Sequence, residues 1–296
     1  LSVSRVSRSD KYFDWINTFF FVIVLIVVLY PLYFILIASI SSPDQVNAGK
    51  VLFFPVDISF DGYMKLLETT KIWLGYRNSI VYAILGTAIG TTAIVMGAYS
   101  LSRKDLVGRT LFMILITLTM FFNGGLIPTY LQVKQLGFLD TIWAVILPSA
   151  ITAFQVIITK TFFEMTIPDE LLEAAQMDGC NNTYFFMRIV LPLSLPIVAV
   201  IVLFSFVSQW NAYFNALIYL RNNDLYPLQL VLREILIQNQ ATDLTGGDVN
   251  DLLERQRLAE LIKYGAIIAA SLPLLVMYPF VQRFFVKGIM IGSVKG

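Results

Sequence analysis

No histidine occurs anywhere in the 296 residues, and there is one cysteine, Cys180. These absences exclude much familiar chemistry. His-based catalytic triads, HExxH zinc sites, haem ligation through histidine, CxxC redox pairs and internal disulfides all need residues that this chain lacks. No catalytic group and no metal site is therefore expected. Charge is scarce as well: Asp, Glu, Lys and Arg make up 14% of the chain, against about 25% in a soluble domain. The 21 basic and 20 acidic residues leave a net charge of +1. That balance excludes the basic footprint of a nucleic-acid binder and an acidic tail. No GxxxxGK[ST] loop is present, so the chain does not cradle ATP in that way. What it has in abundance is apolar side chains, 57% of residues, with a mean hydropathy of +0.73.

Those side chains are gathered into long runs. About 20 apolar residues cross the hydrocarbon core as a helix, and six runs qualify: 15–40, 78–100, 110–122 (with a possible extension to Pro128), 141–159, 193–220 and 264–281. The fold class expected is all-α, a polytopic membrane protein with six transmembrane helices in a single domain over 1–296. The first run exceeds a signal-peptide core and reads as a retained helix. With a cytoplasmic N-terminus, 11 of the 21 Lys and Arg fall on the inner side, in the shorter segments. This modest positive-inside bias places both termini in the cytoplasm. Gly86 and Gly90 stand in GxxxG spacing, and Ala93 and Gly97 are expected to continue that packing face.

Three connecting segments carry information. Residues 41–77 read as an extracytoplasmic loop with Trp73 and Tyr76 near the return to the membrane. Residues 221–263 form a second polar loop, flexible and acidic over 242–251. The third, 160–192, does not behave as a loop. It holds five acidic residues, Glu164, Asp169, Glu170, Glu173 and Asp178, against Lys160 and Arg188. Thr166 has N-cap spacing to Asp169, with Pro168 in the first turn. Asp169 and Glu170 then suit the positive end of a helix dipole. Leu171, Leu172, Ala174 and Ala175 supply a compact apolar face, and Gly179 ends the helix with a left-handed cap. Asn181 or Asn182 caps a second helix that Pro192 is expected to terminate. The result is a short acidic helix along the cytoplasmic surface, shaped for a groove on another protein.

The same residues carry a family resemblance. Glu173-Ala174-Ala175, Gly179 and Ile189-Val190-Leu191-Pro192 match EAA-x3-G-x9-I-x-L-P at every defined position. This is the EAA loop of bacterial ABC importer permeases. Leu191 to Pro196 resembles the LPLxxP of carbohydrate importers. Asn78-Ser79, Ala98 to Arg103, Trp210-Asn211 and the C-terminal 282–296 resemble the same group, related to the maltose permease protein G. Phe122 to Tyr130 is similar to a branch serving larger or acidic oligosaccharides. Cys180 departs from the pattern, standing where the family usually has alanine.

The resemblance implies a permease subunit, not an enzyme, in the bacterial cytoplasmic membrane. It would pair with a second related permease, two ATPase subunits that bind the ATP and Mg, and an extracytoplasmic solute-binding protein. No cofactor is expected in this chain. It also implies that the EAA helix couples to the ATPase through Leu172, Glu173, Ala174, Ala175, Asp178, Gly179, Ile189 and Pro192. Glu173 would meet a basic residue there, and 292–296 would reach the same interface.

A sugar has polar edges and apolar faces, so a path for it needs amides and aromatic rings. The fifth run offers Gln209, Trp210, Asn211, Tyr213 and Asn215, and Asn123, Tyr130 and Gln155 are further candidates. The competing reading is that the amides join helices and the rings form an interfacial belt. Two other functions compete with an importer subunit. An ion-coupled secondary transporter needs ionisable groups within its spans, and none of the six runs has one in its core. A membrane-embedded enzyme would have few catalytic groups to use.

Overall fold

In hydrocarbon a backbone must satisfy its own hydrogen bonds, and apolar runs therefore close into helices. The computed structural model describes residues 8–241, 260, 262–279 and 282. Among these the structure is mostly helical, and the one extended pairing is an isolated antiparallel bridge between Ser41 and Ile58. Three helices are long and apolar enough to cross a membrane: α1 (Arg8–Ser39), α4 (Thr70–Ser102) and α15 (Ile262–Pro279). Three bent pairs raise the number to as many as six if each pair is one span. They are α5 (Arg109–Phe121) with α6 (Leu126–Gln135), α7 (Ile142–Ile146) with α8 (Ala153–Thr166), and the stretch 182–193 with α12 (Leu195–Trp210).

The bend before α8 interrupts the expected run 141–159, while the other two fall at the ends of the runs 110–122 and 193–220, and each has a local cause. Between α5 and α6 the chain turns by 119°, at Asn123-Gly124-Gly125. The Asn123 carboxamide oxygen accepts from the Gly125 N–H at 2.9 Å, and Gly125 has φ +86°. The helix restarts and runs past Pro128 to Gln135. The 50° bend before α8 is a cap hidden in an apolar run. Thr152 and Gln155 exchange hydrogen bonds at 3.3 and 2.9 Å in T-x-x-Q spacing. The 80° bend lies at Ser194, not at Pro192. A π-helical stretch (Phe186–Val190) leads into α11 (Leu191–Leu193), so the helical path passes through Pro192. Proline lacks an N–H for the ordinary ladder, and the wider turn before it changes the register of that ladder.

The described residues form two compact units. One contains the described residues of 8–69 and 235–271. In it the segment after α1 folds back on the end of that helix. Tyr33 donates to the Phe53 carbonyl at 2.5 Å, and Tyr63 donates to the Ser39 hydroxyl at 2.8 Å. Short helices α2 (Pro43–Asn47) and α3 (Asp61–Glu68) occupy this segment. Most of α1 is bare: its Phe, Ile, Val and Leu side chains between 16 and 32 are exposed. An exposed apolar surface of that length suits lipid.

The other unit contains 70–234 and the described residues from 272 onward. Its spine is α4, which begins at Thr70. The expected loop 41–77 therefore ends eight residues sooner, and Trp73 and Tyr76 are helical. α4 packs on α8 and α12, and two glycines set the approach. A Cβ on Gly90 would lie 2.2 Å from the Ala150 carbonyl oxygen, and one on Gly86 would lie 2.6 Å from the Gln209 side chain. Gly97 has open space instead, so the small-residue face does not continue that far. Ile94, Val95, Ala98, Val156, Phe163, Val190 and Ile201 form the main core below this contact.

Candidate functional site

The acidic segment begins as a continuation of α8. Its Thr166 is the last residue of that helix, not a cap. The following helix, α9 (Asp169–Met177), starts after an extended Pro168. Thr166 misled because its spacing to Asp169 is right but its backbone is already committed. Asp169 and Glu170 occupy the first turn as expected. At the other end the Cys180 N–H donates to the Ala175 carbonyl and the Gly179 N–H to that of Gln176, both at 2.9 Å. Gly179 has φ +77°. This pair of bonds is a Schellman cap, with Cys180 at the position that favours an apolar contact back onto Ala175. Asn181 caps α10 (Asn182–Phe185), accepting from the Tyr184 N–H at 2.7 Å.

Gly179→Ala meets no atom within 4 Å, so its cost is purely conformational. A left-handed alanine costs roughly 1–2 kcal/mol, while asparagine visits that region more readily. Thermal unfolding of the assembled complex should therefore rank glycine above asparagine above alanine. Equal midpoints for alanine and glycine would show that the cap is dispensable.

Two faces of α9 differ. Leu171, Leu172, Ala175 and Cys180 pack on the main core, and Ala175 is buried. Glu173, Ala174, Gln176, Met177, Asp178 and Gly179 are exposed. The five carboxylates also divide. Glu164 accepts from Lys160 at 2.7 Å and is also paired with Arg109. Asp169 pairs with Lys104, and this contact raises the Lys104 pKa. Glu170, Glu173 and Asp178 have no ion-pair partner among the described residues. Next to Lys104, Arg103 grips Asp105 with two bonds of 2.9 Å, which lowers the Asp105 pKa below the ordinary carboxylate value. Arg103 also reaches the Tyr99 hydroxyl at 3.3 Å, and Tyr99 lies against Phe186, ring centroids 4.7 Å apart. By sequence alone Lys104 and Arg109 count only among the basic residues of the inner side, with no site role. Their partners lie 55 to 65 positions along the chain, beyond the reach of any local pattern.

Ile189 is half-buried against the same core, and Pro192 is exposed. The apolar side of α9 is thus seated on α4, α8 and α10 by packing and by the Lys104–Asp169 pair. Its acidic side is presented outward.

At the far end of α4 the candidate path residues separate into three kinds. Gln155 belongs to the cap of α8 and is buried. Gln209 and Trp210 are also buried: Gln209 donates to the Ile146 carbonyl at 3.1 Å, and Trp210 stacks on Phe206 and contacts Tyr76. In this conformation Gln155 serves its own helix cap, Gln209 ties α12 to α7, and all three are buried. Tyr130 stacks on Tyr219, and the half-buried Asn215 donates to the Val145 carbonyl at 3.3 Å. Asn123, Asn211 and Tyr213 are exposed. Asn211 and Tyr213 sit where α12 stops, before α13 (Phe214–Tyr219) begins. Non-helical backbone within a span is tolerated only where protein buries it or a watery cavity lines it.

The segment after α13 is tied down by residues with no assigned path role. Asn78 donates to the Asp224 carbonyl at 2.7 Å and that of Tyr226 at 3.1 Å, Tyr82 donates to the Leu225 carbonyl at 2.7 Å, and Ser79 accepts from the Leu228 N–H at 2.8 Å. Asp140, at φ +58°, accepts from the N–H groups of Arg221 and Asn222, both at 2.9 Å. Those two bonds lower its pKa. They deliver α14 (Leu228–Ala241) beside the break in α12.

Residues 89–291 match the family described as binding-protein-dependent transport system inner membrane component. The chain belongs to that family. It is thus an ABC importer permease, a transport subunit in an inner membrane whose ATPase is a separate subunit. Membership implies work with another permease, an ATPase and a solute-binding protein. The permease is 40% identical over 97% of its length, and 99% of the relative's, to the polygalacturonan/rhamnogalacturonan transport system permease protein YtcP of Bacillus subtilis. It is 38% identical to protein LplC of the same organism, over 98% of this chain and 97% of that one. A solved chain from a bacterial ABC transporter involved in the import of the acidic polysaccharide alginate matches with TM-score 0.84 and 34% identity, covering 96% of this permease and all of that chain.

The acidic residues 242–251 and the C-terminal 292–296 lie outside the described residues, so the expectations for them have no structural counterpart here.

Proposed function

We propose that this permease is one half of the membrane pore of an oligosaccharide importer. In this reading each bent helix pair is one span, which gives six. Both termini are cytoplasmic, and 1–296 forms a single permease domain with 160–192 as its coupling segment. Two ATPase subunits bind the ATP and Mg, and α9 docks on one of them. The observation that carries the reading is the two-faced α9. One side is fixed to the spans by Ala175 and Leu172 and by the Lys104–Asp169 pair. The other holds Glu170, Glu173 and Asp178, without an ion-pair partner among the described residues, in an outward patch. A helix held so firmly on one side and left acidic on the other transmits force to a basic groove. The relatives' names supply the cargo class.

Met177 is 89% exposed on α9 and gives a direct test. With Cys180 replaced by alanine, Met177→Cys should react with a membrane-impermeant maleimide in inside-out vesicles and not in intact cells. Added ATPase subunit should protect it. Labelling from outside would refute the orientation. Reconstitution with binding protein, partner permease and ATPase should give ATP-dependent uptake of an oligosaccharide. A complex that hydrolyses ATP normally yet imports none of a broad oligosaccharide panel would overturn the cargo assignment.

A further inference from the structure

The guanidinium of Arg233 lies 5.5 Å from the centroid of the Tyr213 ring. Arg233 is on α14, and Tyr213 is in the break between α12 and α13. Arg233 is only partly exposed, and among the described residues no carboxylate lies within ion-pair distance of it. The contrast with Arg103, Lys104, Arg109 and Lys160 is direct, since each of those has a carboxylate partner. A half-buried guanidinium with no anion among the described residues has lost hydration and, among them, gained a ring face in return. Tyr213 is 40% exposed, so part of the ring is open. Asn211, two residues earlier, is exposed, and its carboxamide oxygen accepts no hydrogen bond from a described residue.

From this arrangement we infer that Arg233 and Tyr213 form a specificity-determining pair for a uronate unit of an acidic oligosaccharide. The inference deepens the oligosaccharide reading above and rests on it. The planar guanidinium fork matches a carboxylate with two parallel charge-assisted bonds. The phenol ring offers the flat apolar surface that a pyranose face requires, and the Asn211 amide can serve a ring hydroxyl. Lysine cannot reproduce the fork, and a neutral sugar has no group that uses it. Placement at a break in an apolar helix puts the pair where a polar cargo could pass.

The test compares wild type, R233K and R233Q in the full reconstituted importer. Uptake per assembled complex is measured for oligogalacturonate and for a neutral oligosaccharide of equal length. R233Q should lower the acidic-to-neutral uptake ratio at least tenfold, and R233K should lie between. If the wild type takes only the acidic sugar, the same tenfold loss per assembled complex is expected in R233Q. An unchanged ratio, or unchanged acidic uptake in that second case, overturns the pair, whatever happens to the yield of complex. A wild type that imports neutral oligosaccharides but not oligogalacturonate overturns this inference alone. A wild type that imports no oligosaccharide overturns the cargo reading beneath it.

Discussion

Glu173→Arg should nearly abolish uptake while leaving the permease folded and inserted. Glu173 is exposed and takes part in no ion pair among the described residues, so its replacement removes nothing that holds the chain together. Surface substitutions of this kind usually change stability by less than about 0.5 kcal/mol. The proposed ATPase contact is different. Losing one partner of a buried charge pair at an interface costs 2–5 kcal/mol or more, and each 1.4 kcal/mol is tenfold, so binding-protein-stimulated ATPase activity and uptake should fall roughly 30-fold or further. Glu173→Gln keeps the shape without the charge and should fall less. The check is stimulated hydrolysis and uptake per inserted permease, with Tm as the control. Full activity in the arginine variant would remove Glu173 from the coupling interface. Loss of insertion would show that the carboxylate has a structural partner.

Gly90→Ala should be the most damaging small substitution in the bundle. A Cβ there would sit 2.2 Å from the Ala150 carbonyl oxygen, which is backbone and cannot rotate aside as a side chain can. Ala150 lies in the bend between α7 and α8, so relief requires moving that bend away from α4. Overpacking typically costs 1–3 kcal/mol or more, to which disturbance of the nearby Thr152–Gln155 cap would add about 1 kcal/mol. Gly97→Ala is the matched control. It lies on the same helix with nothing within 4 Å, and alanine is better than glycine inside a helix by about 0.5–1 kcal/mol. Tm of the purified complex should therefore drop sharply for Gly90→Ala and hold or rise for Gly97→Ala. Equal shifts would mean that the two glycines share one packing role. Gly86→Ala should fall between them, because its obstacle is the side chain of Gln209, although that amide is itself held by the Ile146 carbonyl.

The legible parts of the site are those whose physics is local. The left-handed backbone at Gly179, the asparagine cap at Asn181 and the acidic first turn of α9 all follow from residues within five positions of one another. The Thr152–Gln155 cap is equally local, yet it is masked by the apolar run around it, where periodicity argues for one unbroken helix. Thr166 shows the converse. Its spacing was right, but α8 had already claimed its backbone. Pro192 reads as a stop because proline normally ends a helix, whereas a π-helical stretch upstream carries the chain through it.

By itself the sequence determined the solvent and the chemistry that is missing. A shortage of charge and six long apolar runs point to a bilayer. Runs without an ionisable residue in their cores, and no P-loop, point to energy from another chain, and the family's ATPase is a separate subunit. Tertiary structure alone decided which acids of one segment are internal anchors and which are offered outward. It also decided which amides of one run are buried and which stand at a break. Glu164 and Glu173 are the same residue type nine positions apart, yet Arg109 and Lys160 engage the first and no cation among the described residues pairs with the second. Gln209 and Asn211 are two positions apart, yet Gly86 admits the first into the bundle and the end of α12 leaves the second exposed. Pairings of this kind join residues distant along the chain, and their energies depend on approach distances that only the packed helices set.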